Sequence, residues 1–178
     1  MKIGVLGAGQ LGRMMAISGY PLNHQFGFSG NSSDEPSALL GHMFALEDNA
    51  DNIKYLVDFA DVITYESENT DVEVVREISK NVPVYPGEKS LFTTQHRGRE
   101  KALFDQLNIP CAPYQMVSSE QDLIDAVNTI GLPAILKTAT EGYDGKGQFL
   151  MRDISEITGA WKSVNGVESI LEGFVNFK

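Results

Sequence analysis

The 178-residue sequence contains very little cysteine and little positive charge. Its one cysteine, Cys111, excludes a disulfide framework within the chain and is typical of proteins of the reducing cytoplasm. Only 14 lysines and arginines stand against 24 acidic residues, and this balance argues against binding to nucleic acid. No apolar run is long enough to span a bilayer, and the glycine-broken start makes a poor signal peptide. We therefore expect a cytoplasmic protein with neither nucleic acid nor membrane as a partner.

The acidic charge is concentrated in the first half of the chain. Residues 1–88 contain 5 basic and 13 acidic residues, whereas residues 89–178 contain 9 and 11. Two prolines and Gly87 interrupt the pattern at the same place, as turn-forming residues do. Hydrophobic residues make up 42% of the sequence, which is typical of a globular protein. The sequence predicts two domains, residues 1–95 and residues 96–178.

The first half alternates short apolar runs with helical spacing. Alternating strands and helices favour parallel strand pairing through right-handed crossovers, so we expect a small doubly wound parallel sheet in an α/β fold. The predicted strands are residues 2–7, 24–29, 61–65 and 82–85, and the predicted helices are residues 11–20, 49–59 and 71–79.

The second half has a different pattern, typical of an α+β domain. A largely helical stretch, residues 90–107, is interrupted by Gly98, and Ser119 is placed to cap a helix that continues to residue 130. The predicted strands are residues 114–117, 133–138, 148–151 and 168–175, and a glycine-rich hairpin joins the second to the third.

Gly7–Gly12 has the spacing G-x-G-x-x-G between a predicted strand and a predicted helix. This turn can bring a dinucleotide phosphate to a helix N-terminus, but NAD binding also requires an acidic residue about 20 positions further on. The second strand ends in Phe28-Ser29-Gly30, and the first acid, Asp34, lies in the following loop. Three interpretations stay open: an NAD(P) site, a site for another phosphate, and a turn needed only for packing.

Residues 141–148 contain three glycines between two apolar strands. Backbone N–H groups in such a hairpin can bind phosphates, and Lys146 would add a positive charge, although an ordinary Asp-Gly turn is the alternative. Lys137 lies in the apolar strand just upstream. A lysine in a buried strand needs an anionic partner, and a triphosphate under the hairpin would supply one.

Other charged residues are weaker candidates. Arg97, Arg99 and Lys101 form the densest basic cluster; we expect a solvated helix surface, with Arg97 alone able to face a nucleotide. Glu172 ends a strand, where it can accept from an amine or hydroxyl or be simply exposed. Glu66 and Glu68 follow a predicted parallel strand at the end where ligands bind in open sheets. The three histidines and Cys111 lack metal-ligand spacing, so we expect no zinc site.

Four segments together resemble a known family: GAGQLGRMM, ITYESEN, AILKTATEGYDGKGQ and ILEGFVNF. They are similar to the N5-carboxyaminoimidazole ribonucleotide synthetases, ATP-grasp enzymes of purine biosynthesis. The resemblance implies a pre-ATP-grasp domain followed by the beginning of an ATP-grasp domain. It also implies a ligase that uses ATP and bicarbonate to carboxylate 5-aminoimidazole ribonucleotide, giving ADP and phosphate. A sibling, the formate-dependent glycinamide ribonucleotide transformylase, shares the architecture but fits these motifs less well.

The resemblance also implies site residues. Lys146 and Asp144 would be catalytic, and Gln10, Leu11, Glu66 and Asp144 would bind the aminoimidazole substrate. ATP would be bound by Arg97, Lys137, Gly142, Tyr143, Asp144, Gly145, Lys146, Gly147, Gln148, Glu172, Gly173, Phe174 and Val175.

Members of the family that the sequence resembles are longer than this chain and act with Mg²⁺. We therefore expect the sequence to be the front part of a longer protein, with its magnesium ligands beyond residue 178, no metal ligands within it and no synthetase activity by itself. The family also implies a homodimer. An NAD(P)-binding oxidoreductase domain and a non-catalytic nucleotide-binding fragment are the alternative functions.

Overall fold

The computed structural model describes residues 1–31, 33–45, 50–142 and 147–176, and it leaves the side chains of residues 45 and 50–52 undescribed. The chain divides into two compact units, Met1–Phe92 and Thr93–Lys178. The predicted fold class is confirmed: the first unit is built on a parallel sheet and the second on an antiparallel one. The predicted boundary after residue 95 stays a prediction.

The first unit is an α/β layer with β1 inside the sheet. The strand order is β3-β2-β1-β4, and all three pairings are parallel. One apolar cluster, including Leu6, packs against α2 and α3, and another, including Val5, packs against α1, so helices cover both faces. The elements are β1 (Lys2–Leu6), α1 (Gln10–Gly19), β2 (Gln25–Gly30), β3 (His42–Ala45), α2 (Ala50–Phe59), β4 (Val62–Tyr65) and α3 (Val72–Ile78).

One strand prediction in this unit is wrong, and one strand was missed. Residues 82–85 do not form a strand; Val84 makes a single parallel bridge to Ile63. Pro83 lies within this segment and Pro86 directly follows it, and because proline has no N–H to donate, the ladder cannot extend. Strand β3 was not predicted; it lies between a short apolar turn and residues of mixed polarity.

The second unit is an antiparallel sheet with α6 and α7 packed on one face. Its strand order is β5-β8-β6-β7, so β8 lies inside the sheet. Leu136, Met151 and Leu171 point to the face covered by α6 and α7 and form the core there. The elements are α4 (Glu88–Thr94), which crosses the unit boundary, α5 (Arg97–Gln106), β5 (Tyr114–Val117), α6 (Glu120–Ile130), β6 (Ala134–Thr138), β7 (Gln148–Met151), α7 (Ile157–Ser163) and β8 (Ser169–Gly173).

The helical stretch over residues 90–107 is two helices, and the break does not fall at Gly98. It falls before His96, whose Nδ1 caps α5 by accepting from the backbone N–H groups of Gly98 and Arg99 at 3.1 and 3.4 Å. Gly98 lies inside the first turn of α5, where an added Cβ would come within 2.6 Å of the Met116 sulfur. The glycine therefore permits close contact with β5 and does not end a helix. Helix α7 was not predicted.

Candidate functional site

The glycine turn between β1 and α1 is filled by a carboxylate of the protein itself. Glu66, which directly follows β4, accepts from the backbone N–H of Gly9 at 2.9 Å through Oε1. Its Oε2 accepts from the N–H of Gly12 at 2.7 Å. These N–H groups belong to the helix N-terminus that would receive a phosphate in a dinucleotide site, and a negative charge there is favourable. Glu66 thus supplies the anion for this helix end.

The three glycines of the turn are required because Glu66 approaches so closely. An added Cβ would lie 2.5 Å from Glu66 Cγ at Gly7, 2.6 Å from Oε1 at Gly9 and 2.9 Å from Oε2 at Gly12. Gly7 also has φ +117°, a conformation that other residues rarely adopt. Ser29 adds to the turn by accepting from Gly7 N–H at 3.0 Å. The motif is therefore explained by contacts within the protein.

This geometry weighs against the dinucleotide interpretation. A pyrophosphate at the turn would have to displace Glu66 from two backbone donors. Strand β2 ends at Gly30 without an acidic residue, and the nearby Glu35 carboxylate accepts from the N–H of Asn31 at 3.0 Å. Among the described residues, the acid beside the end of β2 is therefore Glu35 from the following loop, which already accepts from the backbone, and not a residue of the strand itself.

A cavity of about 340 Å³ opens beside Glu66 at the carboxyl ends of the strands. Its polar lining includes Ser29, Ser67, Asn69 and Thr70 as well as Glu66. This is the edge of a parallel sheet at which small ligands bind. Of the other residues predicted to bind substrate, Gln10 and Leu11 are exposed in the first turn of α1 and do not line this cavity. Glu68, which was noted for its place after a strand, is also exposed and does not line it.

In the second unit, Lys137 and Glu172 lie on the face of the sheet opposite α6 and α7. Lys137 pairs with Ile170 and Glu172 with Ile135, which places both side chains on one face. Lys137 Nζ lies 3.3 Å from Glu172 Oε2. The expectation that Lys137 needs an anionic partner is met by this carboxylate. Glu172 is buried, with 9% of its surface exposed, so the interpretation of simple exposure is wrong.

Arg97 holds the start of the glycine-rich hairpin. Its Nη1 donates to the carbonyl oxygens of Thr138 at 2.6 Å and Glu141 at 2.8 Å, and its Nη2 donates to that of Gly142 at 3.4 Å. At the other end of the hairpin, Gly147 has φ +70° and its carbonyl accepts from Thr138 N–H at 2.9 Å. Gln148 begins β7 opposite Lys137. Tyr143, Asp144, Gly145 and Lys146 lie outside the described residues.

The segment predicted to contact adenine begins in β8 and leaves the sheet. Gly173 N–H donates to the Pro113 carbonyl at 2.8 Å, and Phe174 N–H to the Pro133 carbonyl at 3.1 Å. These bonds fix the backbone of the segment. Phe174 and Val175 are each 45% exposed, so they present apolar surface on which a planar base can stack.

The expectation of a solvated basic surface on α5 is wrong for Lys101, and Arg97, for which contact with a nucleotide was left open, is also engaged. Arg97 is engaged with the hairpin carbonyls, and Lys101 Nζ lies 3.3 Å from Glu172 Oε2. Asp105, a further turn along, accepts from the Tyr114 hydroxyl at 2.6 Å. Residues at i, i+4 and i+8 share one helix face, and this spacing is the signal in the sequence that places the three side chains together.

Within the described ranges, no group of three or more His, Cys, Asp and Glu side chains is placed to hold a metal ion. The described helices also include none long and apolar enough to cross a membrane.

Comparison with known proteins identifies the class of the two units. Residues 1–95 match the family model of the ribonucleotide synthetase preATP-grasp domain, and residues 102–178 match that of the ATP-grasp domain. The chain therefore belongs to the ribonucleotide synthetase preATP-grasp family, with ATP-grasp sequence following that domain.

Within this class, the matched proteins include N5-carboxyaminoimidazole ribonucleotide synthases, which confirms the resemblance inferred from the motifs. The Pseudomonas aeruginosa enzyme is 44% identical over 178 residues, 99% of this chain and 49% of that protein. The Thermus thermophilus structure is 38% identical with TM-score 0.88 and covers 99% of this chain and 48% of that one.

A structure from Aspergillus clavatus, in complex with ADP and 5-aminoimidazole ribonucleotide, is 25% identical with TM-score 0.87. It covers 99% of this chain and 47% of that one. The chain thus spans about half the length of the proteins that it matches.

Proposed function

We propose that the protein carrying this chain is an ATP-dependent ligase that converts 5-aminoimidazole ribonucleotide to its N5-carboxy derivative. A single observation carries the proposal: the polar face of the second unit's sheet, opposite α6 and α7. There Lys137 lies beside Glu172, and Arg97 holds the start of the glycine-rich hairpin. The similarity along nearly the whole chain to enzymes of this name supports the substrate assignment.

The proposed reaction has two steps. Bicarbonate oxygen attacks the γ-phosphorus of ATP, which forms carboxyphosphate and releases ADP. The amine nitrogen of the aminoimidazole then attacks the carboxyl carbon, or the carbon dioxide released from it; phosphate leaves and the nitrogen loses a proton. Such an intermediate must be kept from water while its charge is neutralised.

In this proposal, Lys137 binds the ATP phosphates and residues 172–175 bind adenine and ribose. Arg97 keeps the start of the hairpin in place through the Thr138 and Glu141 carbonyls, and it also contacts the nucleotide. Gly142, Gly147 and Gln148 contribute backbone around the phosphates. Of the residues outside the described part, Tyr143 and Gly145 also contact ATP, Asp144 binds ATP and substrate, and Lys146 stabilises the bicarbonate-derived anion.

The first unit binds the aminoimidazole ribonucleotide at the cavity beside Glu66. The two side-chain oxygens of Glu66 each keep a further lone pair after accepting from Gly9 and Gly12, so they can also accept from ligand hydroxyls. Gln10 and Leu11 line the open side of the turn. The proposal further includes Mg²⁺ delivered with ATP, a cytoplasmic location and a homodimer.

The test is product formation by the protein that carries this chain. We expect ADP release that depends on both bicarbonate and 5-aminoimidazole ribonucleotide, and transfer of label from ¹³C-bicarbonate to the N5-carbamate, observed by NMR. Release of ADP without the carbamate would contradict the ligase proposal. Calorimetry distinguishes the ligase from the alternative, an NAD(P)-binding oxidoreductase domain: we expect the protein to bind ATP and not NAD. Sedimentation of the same protein tests the homodimer.

A further inference from the structure

Glu172 makes close ion pairs with two lysines from two different elements. Lys137 on β6 and Lys101 on α5 each place Nζ 3.3 Å from the same oxygen, Glu172 Oε2. The side chains of Glu172, Lys101 and Lys137 are 11%, 13% and 25% exposed. We call Lys101, Glu172 and Lys137 the lysine–glutamate cluster.

The cluster has more positive charge than its burial requires. A buried carboxylate is costly unless it is paired, but one cation is enough to pair it. With two lysines beside one glutamate, the cluster has one more basic group than it has acidic groups. In a partly buried site that excess attracts an anion more strongly than it would in water.

The two lysines differ in how readily their side chains can contact a ligand. Lys137 is the more exposed of the two and lies on β6 opposite Gln148, where the hairpin rejoins the sheet. Lys101 is more deeply buried, and its helix is fixed on either side of it. One turn earlier Arg97 donates to the Thr138 carbonyl, and one turn later Asp105 accepts from Tyr114. Lys101 is thus held where it is, beside Glu172.

We propose that Lys101 is a positioning residue for nucleotide binding, a role that rests on the proposed ATP site. It is the permanent counter-ion of Glu172, and so Lys137 can leave that carboxylate and pair with a nucleotide phosphate. Without Lys101, the same movement leaves a buried carboxylate with no cation. The cost of binding phosphate through Lys137 then rises by the cost of that unpaired charge.

A double-mutant cycle tests this role. Wild type, Lys101→Met, Glu172→Gln and the double variant are titrated with ATP and with adenosine, which has no phosphate, by calorimetry. We expect Lys101→Met to weaken ATP binding at least about tenfold while adenosine binding changes less than about twofold. In the Glu172→Gln background we expect the same change at position 101 to alter ATP binding less than about twofold, since no carboxylate is left to pair.

One further result is expected if Lys101 acts in this way, and one control is needed. Lys101→Arg restores ATP affinity, because it keeps a cation beside Glu172. Thermal unfolding shows whether each variant folds. If Lys101→Met does not fold, Lys101→Gln takes its place in the cycle.

Other outcomes would overturn the inference. An equal loss of ATP affinity in both backgrounds would mean that Lys101 acts on ATP directly. An equal loss for ATP and adenosine, or no loss, would mean that it serves the fold only. Absence of ATP binding by the wild-type protein that carries this chain would reject the proposed ATP site, and the role of Lys101 with it. ATP binding by the wild type that Lys101→Met leaves unchanged would reject only the role of Lys101.

Discussion

Glu66 Oε2 accepts a hydrogen bond from the backbone N–H of Gly12 at 2.7 Å. This contact joins the end of β4 to the first turn of α1 and brings a negative charge to the positive end of that helix. A glycine-rich turn after a first strand is often a phosphate site, and here the same donors are already satisfied by the protein. The contact separates this chain from a dinucleotide-binding domain that has the same motif.

Two glycines, each the third residue of its helix, are expected to respond in opposite ways to alanine. In α1, a Cβ at Gly12 would come within 2.9 Å of Glu66 Oε2 and 3.0 Å of Ser37 Oγ. In α7, a Cβ at Gly159 would meet nothing within 4 Å. We expect Gly12→Ala to lower the free energy of unfolding by about 1–3 kcal/mol, as overpacking does. Gly159→Ala is expected to raise it by about 0.5 kcal/mol.

Urea unfolding of the two variants measures this difference. Gly159→Ala is the matched control, because it adds the same methyl group at the same helical position. Equal effects of the two substitutions would show that helix propensity alone governs both sites and that Glu66 does not restrict Gly12.

Removal of the Glu66 carboxylate is expected to convert the turn into an anion site. Glu66→Ala leaves the N–H groups of Gly9 and Gly12 without their present acceptor. We expect lower stability than wild type and a larger rise of melting temperature on addition of inorganic phosphate, because a bound anion stabilises the folded state. Wild type is the control, and an identical phosphate response in the two proteins would contradict the assignment.

The sequence predicts the features that depend on local pattern. Alternating strands and helices, the hairpin joining β6 to β7 and the need of Lys137 for an anion all follow from neighbouring residues. The partner itself does not: Glu66 lies 54 residues beyond Gly12, and only the pairing of β1 with β4 brings the two together. The acceptor that fills the turn is therefore a consequence of sheet topology.

The same limit applies to the lysine–glutamate cluster. The spacing of Arg97, Lys101 and Asp105 indicates one helix face, but a charged face is normally solvated. Only the antiparallel ladder, which places Tyr114 and Ile135 on either side of Glu172, makes that face point inward. Burial of Glu172 could not be predicted from a strand that ends in an acid, because end strands and inner strands have similar local sequences.

Loss of the Lys137 charge is expected to weaken ATP binding. A charge-assisted phosphate contact contributes about 1.5–3 kcal/mol, so Lys137→Ala should raise the Kd for ATP by about 10- to 100-fold. Lys162→Ala, at an exposed position in the last turn of α7, is the control for removal of a lysine and should leave the Kd unchanged. Calorimetry measures both. An unchanged Kd for Lys137→Ala would mean that Lys137 does not bind ATP and serves only as the ion-pair partner of Glu172.

The hydrogen bond from the Tyr114 hydroxyl to Asp105 is expected to make stability depend on alkaline pH. This bond raises the pKa of Tyr114 from 10.0 to about 12, and burial adds to the shift. The folded state therefore retains the phenol proton more tightly than the unfolded state does. The resulting stability is fully present below pH 10 and is lost as the pH rises from 10 towards 12.

Paired unfolding measurements isolate this contribution. We expect wild type to be more stable than Tyr114→Phe near neutral pH, and the difference to shrink as the pH rises from 10 to 12. Tyr55, a tyrosine that is 58% exposed, gives the control variant Tyr55→Phe, which should show no such convergence. A stability difference for Tyr114→Phe that stays constant across this range would mean that the hydroxyl titrates alike in the folded and unfolded chains. The bond to Asp105 would then not hold α5, and Lys101 with it, against β5.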